Sequence, residues 1–404
     1  MSASAEGSAR SGVLPWSANF RVVLASSMIG IMGVSLLTPV LPRLKTVFGV
    51  GDPAVGLLVP AFTLPGVVLT PFAGIAADRF GRRRTLVPLL VLFGVAGAAS
   101  AFAPDFATVL ALRALQGIGG SALIMLAITL IGDYYDDPHR STTIGINGGA
   151  IGSSGAIFPL VGGMLATVRW EAPFLFFGVA VLVGLHALFV LDEPAINEPA
   201  IDERQSIRAY LQGMREVLAY PRAVAAHATV FAHFFVFYGV LTAMPLVLGG
   251  SYGLTSGRIG LFLAALSVAS AAVNTQYGRL AGRYDPSVLI TIGFAWYGLS
   301  LLGLALRPSL PVVIGCLLGF GVGVGLITPS LDATVVGLVP GRLRAGMMSV
   351  RTSMLRLGQT VGPVAFTTAA ALSVGPARLG YPAVLATCGG LVLVGSGVAL
   401  LATR

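Results

Sequence analysis

The chain is predicted to be an all-α membrane protein, with twelve transmembrane helices in two pseudo-symmetric six-helix halves. Three observations carry this. Of 404 residues 55% are hydrophobic and 10% charged, too few charges to clothe a water-soluble globule. Twelve runs free of Asp, Glu, Lys and Arg follow one another: 22–42, 53–77, 85–103, 114–132, 141–168, 172–191, 223–257, 259–278, 286–306, 308–331, 357–377 and 379–403. Each is near or above the ~20 residues that cross ~30 Å of hydrocarbon as a helix. Punctuating residues also recur at a constant offset of 204: Gly56 as Gly260, Gly117 and Gly119 as Gly321 and Gly323, Arg140 as Arg344, Pro159 as Pro363. The runs are continuous rather than alternating, and open strands would leave backbone groups unpaired in lipid, so helices are the spanning element.

Residues 1–19 form a polar, Ser/Ala/Gly-rich tail without the apolar core of a cleavable signal, so the first span is expected to act as its own insertion signal. Residues 20–191 make the first half and 223–404 the second. Between them 192–222 is charged and proline-bearing, a linker in which Ser206 to Leu218 fits an amphipathic helix on the membrane face.

An even span number puts both termini on one side. Sixteen of the 25 basic residues fall there, six on the other side and three inside spans, so the termini are expected in the cytoplasm and the protein in the cytoplasmic membrane. The net charge of +9 is then a topology signal, and no basic, aromatic-interleaved face suggests nucleic acid. Cys316 and Cys388 lie in apolar runs and imply no disulfide framework. No metal cluster, cofactor pattern or nucleophile–base pair at helical spacing is present, so neither a cofactor nor enzymatic activity is expected, and nothing requires an oligomer.

The first span closes in LLTPVLPRL, where Pro39 and Pro42 either bend the helix or end it. Spans two and three are joined by Gly74 to Arg84, GIAADRFGRRR. Retention of positive charge explains the arginines but not the spacing of Gly74, Asp78, Arg79, Gly81, Arg82 and Arg83. That spacing resembles the signature loop between spans two and three of the major facilitator superfamily. Arg113, Gln116, Gly117 and Gly119 in span four resemble a second signature, and the proline pair resembles the end of span one in the drug:proton antiporter branch. Span five, GINGGAIGSSGAIFPLVGGML, resembles the glycine-rich antiporter motif through Gly148, Gly152, Gly155, Pro159, Gly162 and Gly163. It departs from that motif at Phe158, where the family usually has glycine. The resemblance covers residues 20–402.

The resemblance implies transport of a small-molecule substrate by alternating access between two halves, with a proton as the possible coupling ion and lipid as the surroundings. It also implies that Arg82 reaches Asp133 at the end of span four, and that Asp78 meets the start of span eleven near Ala345 and Gly346. Both contacts are expected to bridge elements that separate when the cavity opens to the cytoplasm.

Charges inside spans mark function or pairing. Arg113 either snorkels to the interface or is a buried cation. Asp332 and Arg351 lie at matching depths, ~10 Å from the cytoplasmic face, and are expected to pair. Arg356, five residues on, points elsewhere at ~18 Å depth, either toward solute or toward a backbone carbonyl. His233, at similar depth in span seven, is either a packing residue or the titrating group of a proton antiporter, since histidine changes charge near neutral pH. The reading is proton-coupled efflux of amphipathic compounds. Uptake of a metabolite or sugar, and a transporter-derived binding protein, stand as alternatives.

Overall fold

The structure is a computed structural model, which describes residues 17–136, 139–194, 212, 215–216, 220–338, 344–374, 377–378 and 380–402. The linker helix expected over Ser206 to Leu218 falls largely outside them.

Twelve helical segments cross in sequence. The first is Ala18–Ser35, a 3-10 turn Thr38–Val40 and Leu41–Phe48. The second is Asp52–Gly56 continued by Leu58–Phe80, and the third is Arg82–Ala99. The fourth, Phe106–Gly120 and Leu123–Tyr134, is interrupted at Ser121. The fifth is His139–Val168, and the sixth is Ala172–Phe176 with Val179–Val190. The second half runs Pro221–Gly250, Ser256–Ala281, Pro286–Ala305, Leu310–Gly337, Arg344–Ala371 and Gly380–Ala402. Ten of the twelve are long and apolar enough to span by themselves among the described residues. The eleventh, bearing Arg351 and Arg356, is one of the other two. Pro39 cannot donate to the carbonyl four residues back, and the first span bends through the 3-10 turn there.

Each half has its own core. One buried cluster runs from Phe20 to Leu191 with Leu246 added, the other from Ala223 to Leu385. The sequence repeat reappears as packing. A Cβ on Gly117 would run into the Phe62 carbonyl, and one on Gly321 into the Leu266 carbonyl, each pair displaced by 204. Gly119 lies against Phe93 as Gly323 lies against Tyr297, at the same displacement. Small residues let these backbones meet, which is how helices associate where lipid removes the hydrophobic drive.

The halves meet along two seams that are also repeats of each other. Span two meets span eleven through Gly56 on Thr367 and through Thr63 Oγ1 to Thr360 Oγ1 at 3.0 Å. Span eight meets span five through Gly260 on Pro159, and Ser267 Oγ donates to the Gly155 carbonyl at 2.8 Å. Away from the termini the seams are shut. There Tyr381 donates to Asp52 Oδ2 at 3.0 Å across the halves, and Lys45 Nζ lies 2.5 Å from Asp52 Oδ1.

Toward the termini the span five and eight seam parts. Gly145, Gly148, Gly149 and Gly152 continue the packed face of span five, yet no atom stands within 4 Å of where their side chains would begin, and Gly278 on span eight is equally bare. Asn274 to Gln276 beside it are exposed. Between spans five and eight the halves are thus in contact on the far side and apart on the side of the termini. Gly148 and Gly152 were expected to pack; in this conformation they do not, because the splay of spans five and eight carries them apart. Gly155, Pro159, Gly162 and Gly163 are the packed part of the motif.

Candidate functional site: rim, buried arginine and cavity wall

The loop between spans two and three turns at Gly81, whose φ of +107° suits glycine alone. The turn presents the first amides of span three to a carboxylate from the end of span six. Arg82 N–H donates to Glu193 Oε1 at 2.5 Å and Arg83 N–H to Glu193 Oε2 at 3.2 Å. This is an N-terminal cap supplied from 111 residues away, and it neutralises the positive end of the helix. A Cβ on Gly81 would stand 2.7 Å from that carboxylate, so Gly81 also makes room for Glu193. Sequence reasoning did not find Glu193, because a lone acid at the head of a linker has no signal of its own.

Arg82 Nε donates to Asp133 Oδ2 at 3.0 Å, and a second guanidinium nitrogen is 2.9 Å from Asp78 Oδ1. Arg83 donates to the Leu188 carbonyl, and the Arg79 guanidinium lies over the Phe80 ring. Gly74 packs on Met125 of span four. Asp78 is half-exposed; the side chains of Ala345 and Gly346, where it was expected to dock, lie outside the described residues. One expectation is corrected. The Arg82–Asp133 pair lies within the first half and is intact while the cavity is open on this side, so it does not bridge elements that separate.

Arg113 does not snorkel. Only 1% exposed, it turns inward to Gln116 Oε1 and the Gly33 carbonyl at 2.6 Å each, with the Leu58 carbonyl at 3.4 Å and the Phe62 ring beneath it at 4.6 Å. Three neutral acceptors and a ring face take the place of a counter-ion, tying spans one, two and four together.

In the second half His233 is fully buried. Tyr297 Oη lies 3.0 Å from its Nδ1 and Thr328 Oγ1 3.1 Å from its Nε2. Thr328 gives its own proton to the Val324 carbonyl, so Nε2 carries the imidazole proton and Nδ1 accepts from Tyr297. A ring buried and bonded at both nitrogens fits the packing alternative for His233 rather than the titrating one. His227 lies buried between the Ala223 and Met347 carbonyls, to one of which a neutral ring can donate.

Asp332 and Arg351 are brought together, Arg351 Nε donating to Asp332 Oδ1 at 2.5 Å, with the arginine largely covered and the carboxylate side chain 45% exposed. Arg356 leaves that pair and crosses the seam. It donates to the Ser121 carbonyl at 3.2 Å, a group freed by the break in span four, and its guanidinium fills the space that Gly66 leaves open. Ser121 O also accepts from Thr70 at 2.9 Å, while Tyr238 Oη accepts from Gln359 Nε2 at 2.7 Å. The spacing Thr63, Gly66, Thr70 and the stripe Arg356, Gln359, Thr360 are helical faces legible in the sequence, though only Arg356 was singled out there.

The chain is similar to known proteins along most of its length. The bacillibactin exporter of Bacillus subtilis (strain 168) is 28% identical over 351 residues, covering 83% of this chain and 85% of that one. The class G tetracycline resistance protein of Vibrio anguillarum is 26% identical over 359 residues, 85% of this chain and 89% of its own. The crystal structure of a bacterial homolog to the human lysosomal transporter Spinster, inward-facing and occupied, superposes with a TM-score of 0.80 at 17% identity, over 95% of this chain and 96% of the other. The Major Facilitator Superfamily profile matches residues 23–255 and 226–404. With its fold, its two repeated halves and its signature loop accounted for, the chain belongs to the Major Facilitator Superfamily, as a multi-pass transporter of small molecules rather than an enzyme.

Proposed function

We propose that the protein exports small amphipathic organic solutes across the cytoplasmic membrane in exchange for protons, with both termini in the cytoplasm. The observation that carries this reading is the half-exposed Asp332, paired with Arg351 on a cavity open to the side of the termini. It is the one carboxylate well inside a span among the described residues. A proton reaching Asp332 when the cavity faces outward removes the counter-charge of Arg351 and biases the pair's surroundings; its release on the cytoplasmic side restores the pair. The excess of arginine on the side of the termini supports the orientation. Export is supported by the relatives, whose names describe an exporter and drug-resistance proteins. Neutral, bonded His233 takes no part. The test is solute-induced proton movement in proteoliposomes, using compounds that raise the protein's apparent stability in a thermal screen. Opposite fluxes of solute and proton, lost in Asp332→Asn, support exchange. Parallel fluxes mean uptake by symport, solute flux alone means facilitated diffusion, and binding without flux means a receptor.

A further inference from the structure

The two seams use equivalent positions of equivalent spans, Gly56 and Thr63 on one and Gly260 and Ser267 on the other, and they differ where Arg356 stands. Removing the offset of 204 from Arg356 gives Gly152, and adding it to Gly66 gives Ser270. On the span five and eight seam the position equivalent to the arginine is thus a bare glycine. Tyr238 and Gln359 have Val34 and Gly155 as their counterparts. The repeat has no cation at this level, where Gly152 meets no neighbour and Ser270 stands in place of Gly66, so Arg356 is particular to the span two and eleven seam.

Its partners point the same way. Among the described residues the guanidinium donates one hydrogen bond, to a backbone carbonyl, and no carboxylate meets it. The carboxylate of Asp332 is already held by Arg351, and Arg113 is enclosed in the first half, so among the described residues Arg356 is the cation between the halves that no carboxylate balances. Beside it, Tyr238 packs against the core of the other half and accepts from Gln359, which leaves the phenol proton free to donate. Phe234 stands next to Tyr238, with ring centroids 6.4 Å apart. A cation and a hydroxyl donor next to aromatic faces, about 18 Å into a helix bundle, suit an anionic head on an apolar body.

We propose that Arg356, with Tyr238, makes this cavity selective for amphipathic solutes bearing an acidic group and adverse to organic cations. The inference rests on the reading of the cavity as the transport site, and it concerns the sign of the solute's charge. The test is calorimetric binding of naphthalene-2-sulfonate and of its matched cation, naphthalen-2-ylmethylammonium, to the full-length purified protein. The sulfonate binds the parent at least about tenfold more tightly than the ammonium; Arg356→Gln loses that preference and Arg356→Lys retains most of it. Equal or tighter binding of the ammonium by the parent overturns the proposal without any variant, as do undiminished sulfonate binding in a folded Arg356→Gln and the failure of both probes to bind. Because binding is read without transport, a protein that prefers the sulfonate yet moves no solute defeats the export reading alone, and one that moves solute but prefers the ammonium defeats this proposal alone.

Discussion

Arg351 Nε meets Asp332 Oδ1 at 2.5 Å, joining spans ten and eleven across the wall of the cavity. Truncating one member strands the other in a partly dehydrated place, whereas removing both strands neither. Asp332→Asn and Arg351→Gln are each expected to lower the apparent melting temperature, and the double variant to lose less than the sum. With the carboxylate 45% exposed, a coupling energy of about 1 kcal/mol is expected. Strict additivity in the double-variant cycle would show that the pair contributes nothing.

His233 should respond differently. With both ring nitrogens bonded in the core, His233→Gln is expected to cost about 1–3 kcal/mol of stability and to leave the dependence of transport on the pH gradient unchanged. Proton-driven flux measured in proteoliposomes checks this; loss of gradient dependence in a stable His233→Gln would return coupling to the histidine.

At the rim, Glu193→Ala should cost about 1 kcal/mol, the usual worth of a helix cap. Gly81→Ala should cost at least as much, from backbone strain at φ +107° and from collision with the same carboxylate. Since the collision vanishes with the acid, the double variant should be less damaged than the two losses added. Thermal unfolding of the four proteins decides it.

Two glycines of span five should act with opposite signs. Gly163 is pressed on the Ser256 carbonyl of the shut far side, so Gly163→Leu is expected to force that side apart. Gly152 is bare here, and Gly152→Leu should instead hinder closure on the side of the termini. Overpacking of about 1–3 kcal/mol shifts a two-state population roughly 5- to 150-fold. Thiol labelling at Thr46→Cys on the far side and Asn274→Cys on the other, with Cys316 and Cys388 replaced by Ala, should rise for the first variant at Thr46 and persist for the second at Asn274. Matching changes in both variants would exclude opposed roles.

The twelve spans were legible because lipid forbids unpaired charge, which writes each helix into the sequence as an uninterrupted run. Depth was legible too, since rise per residue puts Asp332 and Arg351 on one level. Azimuth was not: the same counting places His233 at midplane without revealing that it faces Tyr297 and not the cavity. Glu193 escaped because its partners are 111 residues earlier, and the conformation escaped because a packed glycine and a bare one, Gly163 and Gly152, read alike.

The two halves are expected to rock about a shared cavity, opening one side as the other shuts. Spin labels at Thr142→Cys and Asn274→Cys report the side of the termini, and labels at Thr46→Cys and Ser251→Cys the far side, with distances read by double electron–electron resonance. Two distance populations are expected for each pair, with conditions that lengthen one pair shortening the other, and Gly163→Leu favouring the state with the far side open. A single unchanging distance for both pairs, across pH and in the Gly163→Leu background, would contradict it.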